Sequence, residues 1–133
     1  MVKRKSAAGD ASRNRLSIRV DLASGARIGP GKVAVLEEID RSGSISAAGR
    51  ALGMSYRRTW DLVEDLNRSL GGPVVATSAG GSGGGGAVLT EVGRAVVDLY
   101  RSIEADAVRA AQRHLAALNL TCAGDIRSGE SRG

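Results

Sequence analysis

The residues best equipped for chemistry stand together in Ser-Tyr-Arg-Arg-Thr, Ser55–Thr59, where two consecutive arginines follow a break between probable helices. Basic side chains in a first helical turn oppose the helix dipole, which favours acids there. An anion outside the helix would offset that penalty, and arginine's planar fork suits both phosphate and the acceptor edge of guanine. Asp61, Glu64 and Asp65 follow on the same outer arc and would repel a nucleic-acid backbone, so only the first turn can enter a groove. A recognition helix docks in this way, its N-terminal residues on base edges while the preceding helix crosses the backbone. The expected DNA contacts are Ser55, Tyr56, Arg57, Arg58 and Thr59 on this helix, with Ser44, Ser46 and Arg50 on the one before. Ser46 and Arg50, four apart, are placed to touch phosphate.

A second candidate is AGGSGGGG, residues 79–86, in which six of eight are glycine. A phosphate loop needs Gly-Lys-Ser/Thr opening a helix, whereas here Ala-Val-Leu follows, a β-prone run. A wing fits better, its glycines letting Ser82, Gly83 and Gly84 lie close to the DNA backbone and donate amides to phosphate. Other chemistry is poorly served. Cys122 and His114 are the only residues of their kinds, so one chain offers no Cys/His metal cluster and no disulfide. With no nucleophile–base pair either, neither an enzyme nor a cofactor is expected. The shortage of aromatic rings disfavours RNA.

These residues need elements to position them. LSIRVDL (16–22) alternates apolar and polar and reads as a half-buried strand. Gly29-Pro30 starts a helix reaching about Arg41, with Val33, Val35, Leu36 and Ile39 as its apolar stripe. Ser44 caps a second helix, Ile45–Leu52, and Gly53 takes the left-handed turn after it. Ser55 caps a third through Leu70, whose apolar arc of Tyr56, Trp60, Leu62, Val63, Leu66 and Leu70 belongs to the core. PVVATS (73–78) and AVL (87–89) flank the glycine loop. Thr90 then caps a long helix to about Leu118, in which Val92, Val96, Leu99 and Ile103 repeat at heptad spacing. Its first turns must pack on the domain; the rest lacks an internal partner, which points to a homodimer.

The order strand, three helices, hairpin, helix describes a mainly α fold with a small β-sheet: a winged helix-turn-helix with a long C-terminal dimerisation helix. The 133 residues divide into a disordered basic arm (1–14), the winged domain (15–89), the dimerisation helix (90–118) and a disordered tail (119–133). Residues 1–19 carry six basic side chains against Asp10 alone, which accounts for the whole net charge of +5. Any basic surface on the folded part must therefore come from segregation of charge. No signal peptide or membrane span is expected, and the cysteine usage suits the cytoplasm.

At these residues the chain resembles a family. Residues 27–103 are similar to the N-terminal DNA-binding domain of the molybdenum-dependent ModE transcriptional regulators, whose helix-turn-helix is related to that of LysR-type proteins. GSISAAGRALGMSYRRTWDLVEDLN and GGSGGGGAVLT, continuing into EVGRAVVDLY, carry the likeness. It implies a dimeric regulator binding double-stranded DNA at a two-fold operator in molybdenum-related gene control. Two departures matter. The wing residues Ala76, Thr77, Ser78 and Ser82 are neutral where family members often carry charge. Residues 119–133 leave no room for the molybdate-binding domains, so no small-molecule effector is expected to act on this chain. Two alternatives stay open: a regulator of unrelated genes that shares only the domain, and an interaction module that heterodimerises with a full-length regulator.

Overall fold

The computed structural model describes residues 14–78 and 86–132. Residues 17–102 form one compact unit; the described residues up to Leu16 and from Ile103 onward form a second. The alternation expected of residues 16–22 holds as far as Asp21, with Ile18 and Val20 half-buried between exposed Ser17, Arg19 and Asp21, and fails at Leu22, which is exposed. The strand is much shorter than expected. Within residues 16–22 strand is confined to β1 (Val20–Asp21), which pairs antiparallel with β2 (Arg27–Ile28) in the register Val20 with Ile28 and Asp21 with Arg27. The turn takes the rest: Leu22 N–H donates to Ala26 O at 2.8 Å and Gly25 adopts φ 98°. On the other side Pro30 begins a helix and has no N–H to extend a ladder.

That helix, α1 (Pro30–Ser42), buries Val33, Val35, Leu36 and Ile39 and ends at Gly43. Gly43 has φ 73° and its N–H donates to Ile39 O, a left-handed cap that glycine adopts without a Cβ penalty. Next come α2 (Ile45–Ala51), α3 (Tyr56–Ser69), β3 (Val75–Ser78) and β4 (Gly86–Leu89). Strands β3 and β4 pair antiparallel with Val75 opposite Leu89 and Ser78 opposite Gly86. One aliphatic core joins Leu36, Ile39, Ala48, Val63, Leu66 and Val74 to Ala87 and Leu89 of the hairpin, as suits a chain without Phe.

The last helix, α4 (Glu91–Arg132), is capped by Thr90, whose hydroxyl accepts from Gly93 N–H at 3.0 Å and donates to Pro73 O at 2.7 Å. It runs past the boundary expected at Leu118, because no proline follows Pro73 and isolated glycines weaken a helix without stopping it. In its first turns Val96 and Val97 pack on the core and Tyr100 is buried, its hydroxyl donating to Ile18 O at 2.6 Å. Arg101 grips Glu37 of α1 with two hydrogen bonds, 2.9 and 2.6 Å, and Arg94 pairs with Asp40 at 3.1 Å. The Arg101 hydrogen bonds hold the Glu37 carboxyl below its ordinary pKa, against the opposing effect of partial burial. In the second unit, Asn14 and Asn119 exchange side-chain amide hydrogen bonds of 3.1 and 2.7 Å, and Leu115 is buried.

Candidate nucleic-acid interface

Helices α2 and α3 are held by one close approach. Gly49 lies so near α3 that a Cβ there would meet Thr59 Oγ1 at 2.5 Å and Met54 O at 3.1 Å. Thr59 is wholly buried at this point, its hydroxyl donating to Ser55 O at 2.7 Å. The expectation that Thr59 touches DNA is not met; its side chain instead seals the joint between the two helices. A hydroxyl that bonds the carbonyl four residues back in its own helix carries no unpaired polarity into the core, so a threonine serves here as a small apolar residue would.

The crossing also corrects the reading of Trp60. Thr59 stands against Gly49 of α2, and Trp60, the next residue, leaves the helix about 100° away from that contact. Trp60 is 39% exposed and Tyr56 57% exposed, so neither belongs to the core proper. Asn67, at the far end of α3, is a structural residue that the sequence pattern did not single out. Its side-chain oxygen accepts from Val74 N–H at 2.8 Å and Val75 N–H at 3.2 Å, fixing the start of the hairpin to the helix. An asparagine one turn before Gly-Gly-Pro is the signal that could have found it.

Both helix starts carry serine caps. Ser44 accepts from Ala47 N–H at 3.0 Å and Ser55 from Arg58 N–H at 3.1 Å. Gly53, φ 69°, makes the turn that brings the second start into place. No acid stands in the first turn of α3, so its positive end carries two arginines with no carboxylate from that turn. Arg57 is 86% exposed at the side chain, its Nε 3.5 Å from the Asp61 carboxylate one turn on. Arg58 faces elsewhere, lining a cleft with Lys32 and Leu62. On α2, Arg50 donates to Ser46 Oγ at 3.0 Å, leaving an exposed guanidinium at the start of the turn. Arg50, Ser55, Tyr56 and Arg57 are thus exposed on the two helices, Ser44 and Ser46 are half-buried at the start of α2, and Arg58 stands apart on the cleft. The hairpin is anchored beside the start of α2 through Ala87 N–H, which donates to Gly43 O at 3.0 Å. Ser82, Gly83 and Gly84 lie outside the described residues.

The expected seam on α4 divides. Val96 is half-buried against the chain's own core, while Val92, Leu99 and Ile103 are exposed, Leu99 at 64%. Among the described residues no group of His, Cys, Asp and Glu could hold a metal, and no helix is long and apolar enough to cross a membrane.

Comparison with known proteins places this geometry. The description "Bacterial regulatory helix-turn-helix protein, lysR family" matches residues 31–94. The molybdenum-pterin-binding protein MopB of Rhodobacter capsulatus is 42% identical over 104 residues, 78% of this chain and 38% of its own length. The molybdenum transport protein ModE of Azotobacter vinelandii is 35% identical over 86% of this chain and 42% of its own length. The DNA-binding transcriptional dual regulator ModE of Escherichia coli is 39% identical over 53% of this chain and 27% of its own. The chain therefore spans about two fifths or less of these relatives. A solved MarR-family transcription regulator, 16% identical, superposes with a TM-score of 0.55 over 98% of this chain and 81% of its own, and shares the fold.

Proposed function

We propose, for a chain whose residues 31–94 are a helix-turn-helix of the lysR family and of ModE type, that it is a DNA-binding transcriptional regulator acting in molybdenum-related gene control. It binds a two-fold operator as a homodimer. The first turn of α3 enters the major groove, where Arg57 meets a base edge, and Ser44, Ser46 and Arg50 lie against phosphate. Tyr56 and Ser55 flank the groove contact, and the loop between β3 and β4 follows the backbone. One observation carries this reading: an exposed arginine in the first turn of a capped helix, a turn that holds no acid, beside a glycine-set turn that aims it. The homodimer rests on the exposed Val92, Leu99 and Ile103, which a second copy would cover.

Selection of bound sites from random duplexes tests the proposal. The expected outcome is a palindromic site whose half-sites lie about one helical turn apart. Pairing of α4 with a longer regulator is a rival use of the same exposed stripe. A purified chain that binds no duplex, yet binds such a regulator, would establish the rival.

A further inference from the structure

Four cations from four separate parts of the chain converge on a cleft of about 640 Å³ beside α3. Arg19 comes from the segment leading into β1, Arg27 from β2, Lys32 from the first turn of α1 and Arg58 from the first turn of α3. Two carboxylates answer them. Asp21 holds Arg19 at 2.9 Å and stands 4.0 Å from Arg27; Asp65 takes Lys32 at 3.2 Å. Two positive charges remain in excess. Linear charge patterning does not reveal this gathering, since residues from 20 onward are neutral in sum and the cations lie up to 39 positions apart, from Arg19 to Arg58. No acid stands in the first turn of α1, and Gly29 gives it no side-chain cap, so its amide donors add to the positive field.

We infer that this cleft receives the DNA backbone beside the groove that α3 enters, so that Arg19, Arg27 and Lys32 belong to the DNA-binding surface. The inference rests on the DNA reading proposed above. Arg57 and Arg58 are successive residues, so their side chains leave the helix about 100° apart. With Arg57 directed at base edges, Arg58 is directed at the side of the groove, and that side is phosphate. The two arginines of the N-terminal hairpin are largely solvent-exposed, at 60% and 67% of the side chain. An extended polyanion can reach charges held in the open in this way, whereas a small anion would need them folded around it. A polyanion also competes well for them, because their present partners are exposed carboxylates whose ion pairs are weak.

The test compares wild-type protein with an Arg19→Gln/Arg27→Gln/Lys32→Gln variant on the selected duplex and on a scrambled one, across a range of salt. Both duplexes should lose affinity alike in the variant. The slope of log K against log salt should become shallower by about 0.9 for each phosphate the variant no longer neutralises, with the preference between duplexes retained. Arg27→Gln alone, at an exposed position, repeats the measurement should the triple variant fold poorly by circular dichroism. A folded variant with unchanged affinity and slope overturns the inference while leaving the DNA reading standing. A loss confined to the selected duplex also overturns it. If the wild-type protein binds neither duplex, the DNA reading falls and the cleft's role falls with it.

Discussion

Arg57 already has an anion within reach before any DNA arrives, because Asp61 lies one turn along at 3.5 Å. Docking must exchange this carboxylate for a base edge, and the same carboxylate then faces the negative groove. Asp61→Asn should therefore tighten binding to every duplex, by roughly the 0.2–1 kcal/mol of an exposed pair. Fluorescence anisotropy measures it; unchanged or weaker binding would place Asp61 in a positive role. The arginines, the serine caps and Gly53 are legible in the sequence because each acts locally, through its own turn. Thr59 is not, because its burial is decided by Gly49, ten residues away, and by a hydroxyl that bonds its own helix. Trp60 misleads for the related reason that helical spacing tells which residues share a side, not how far the neighbouring helix covers it.

Among the elements, the closest approaches identify where substitution costs most. A Cβ at Gly93 would meet Val74 O at 2.1 Å, a backbone atom that cannot turn aside. Gly93→Ala should lower stability by about 1–3 kcal/mol, the cost of overpacking a tight contact. Gly49→Ala presses on the buried Thr59 and should disturb the α2–α3 joint, so that DNA affinity falls along with stability. Denaturant titration reads the stability of both variants, and a Gly93→Ala protein as stable as wild type would contradict the geometry. The Glu37–Arg101 clamp adds a pH dependence. Since the folded pKa of Glu37 is lowered, its contribution is full above the ordinary glutamate value and is lost as pH falls through the folded one. Arg101→Ala should cost at most about 1 kcal/mol near neutrality, and the difference from wild type should shrink toward zero in acid. A difference independent of pH would assign the effect to packing. The four helices and the second hairpin are readable in order from caps and periodicity, whereas β2 is missed, because Arg27–Ile28 is too short to show a period and reads as part of the turn. The length of β1 is not readable either, because it depends on where the returning strand meets Pro30.

For the whole molecule, the exposed Leu99 is the strongest reason to expect a second copy, since a large aliphatic side chain 64% exposed on a helix gains by being covered. Leu99→Asp or Ile103→Asp should give a monomer in sedimentation and a steep loss of affinity for a palindromic site, because an unpaired charge would enter the seam. Two intact dimers would move the interface elsewhere. The heptad is visible in the sequence, but not that Val96 is used by the chain's own core, which only the packing of α4 decides. Every larger expectation depends on α3 reading sequence. The most direct measurement is the ratio of affinities for the selected and scrambled duplexes, at fixed salt, for wild type and Arg57→Ala. Removing a bidentate contact to guanine should shrink the ratio by about 1–3 kcal/mol, mostly through weaker binding of the selected duplex. A ratio that survives Arg57→Ala unchanged would contradict the account.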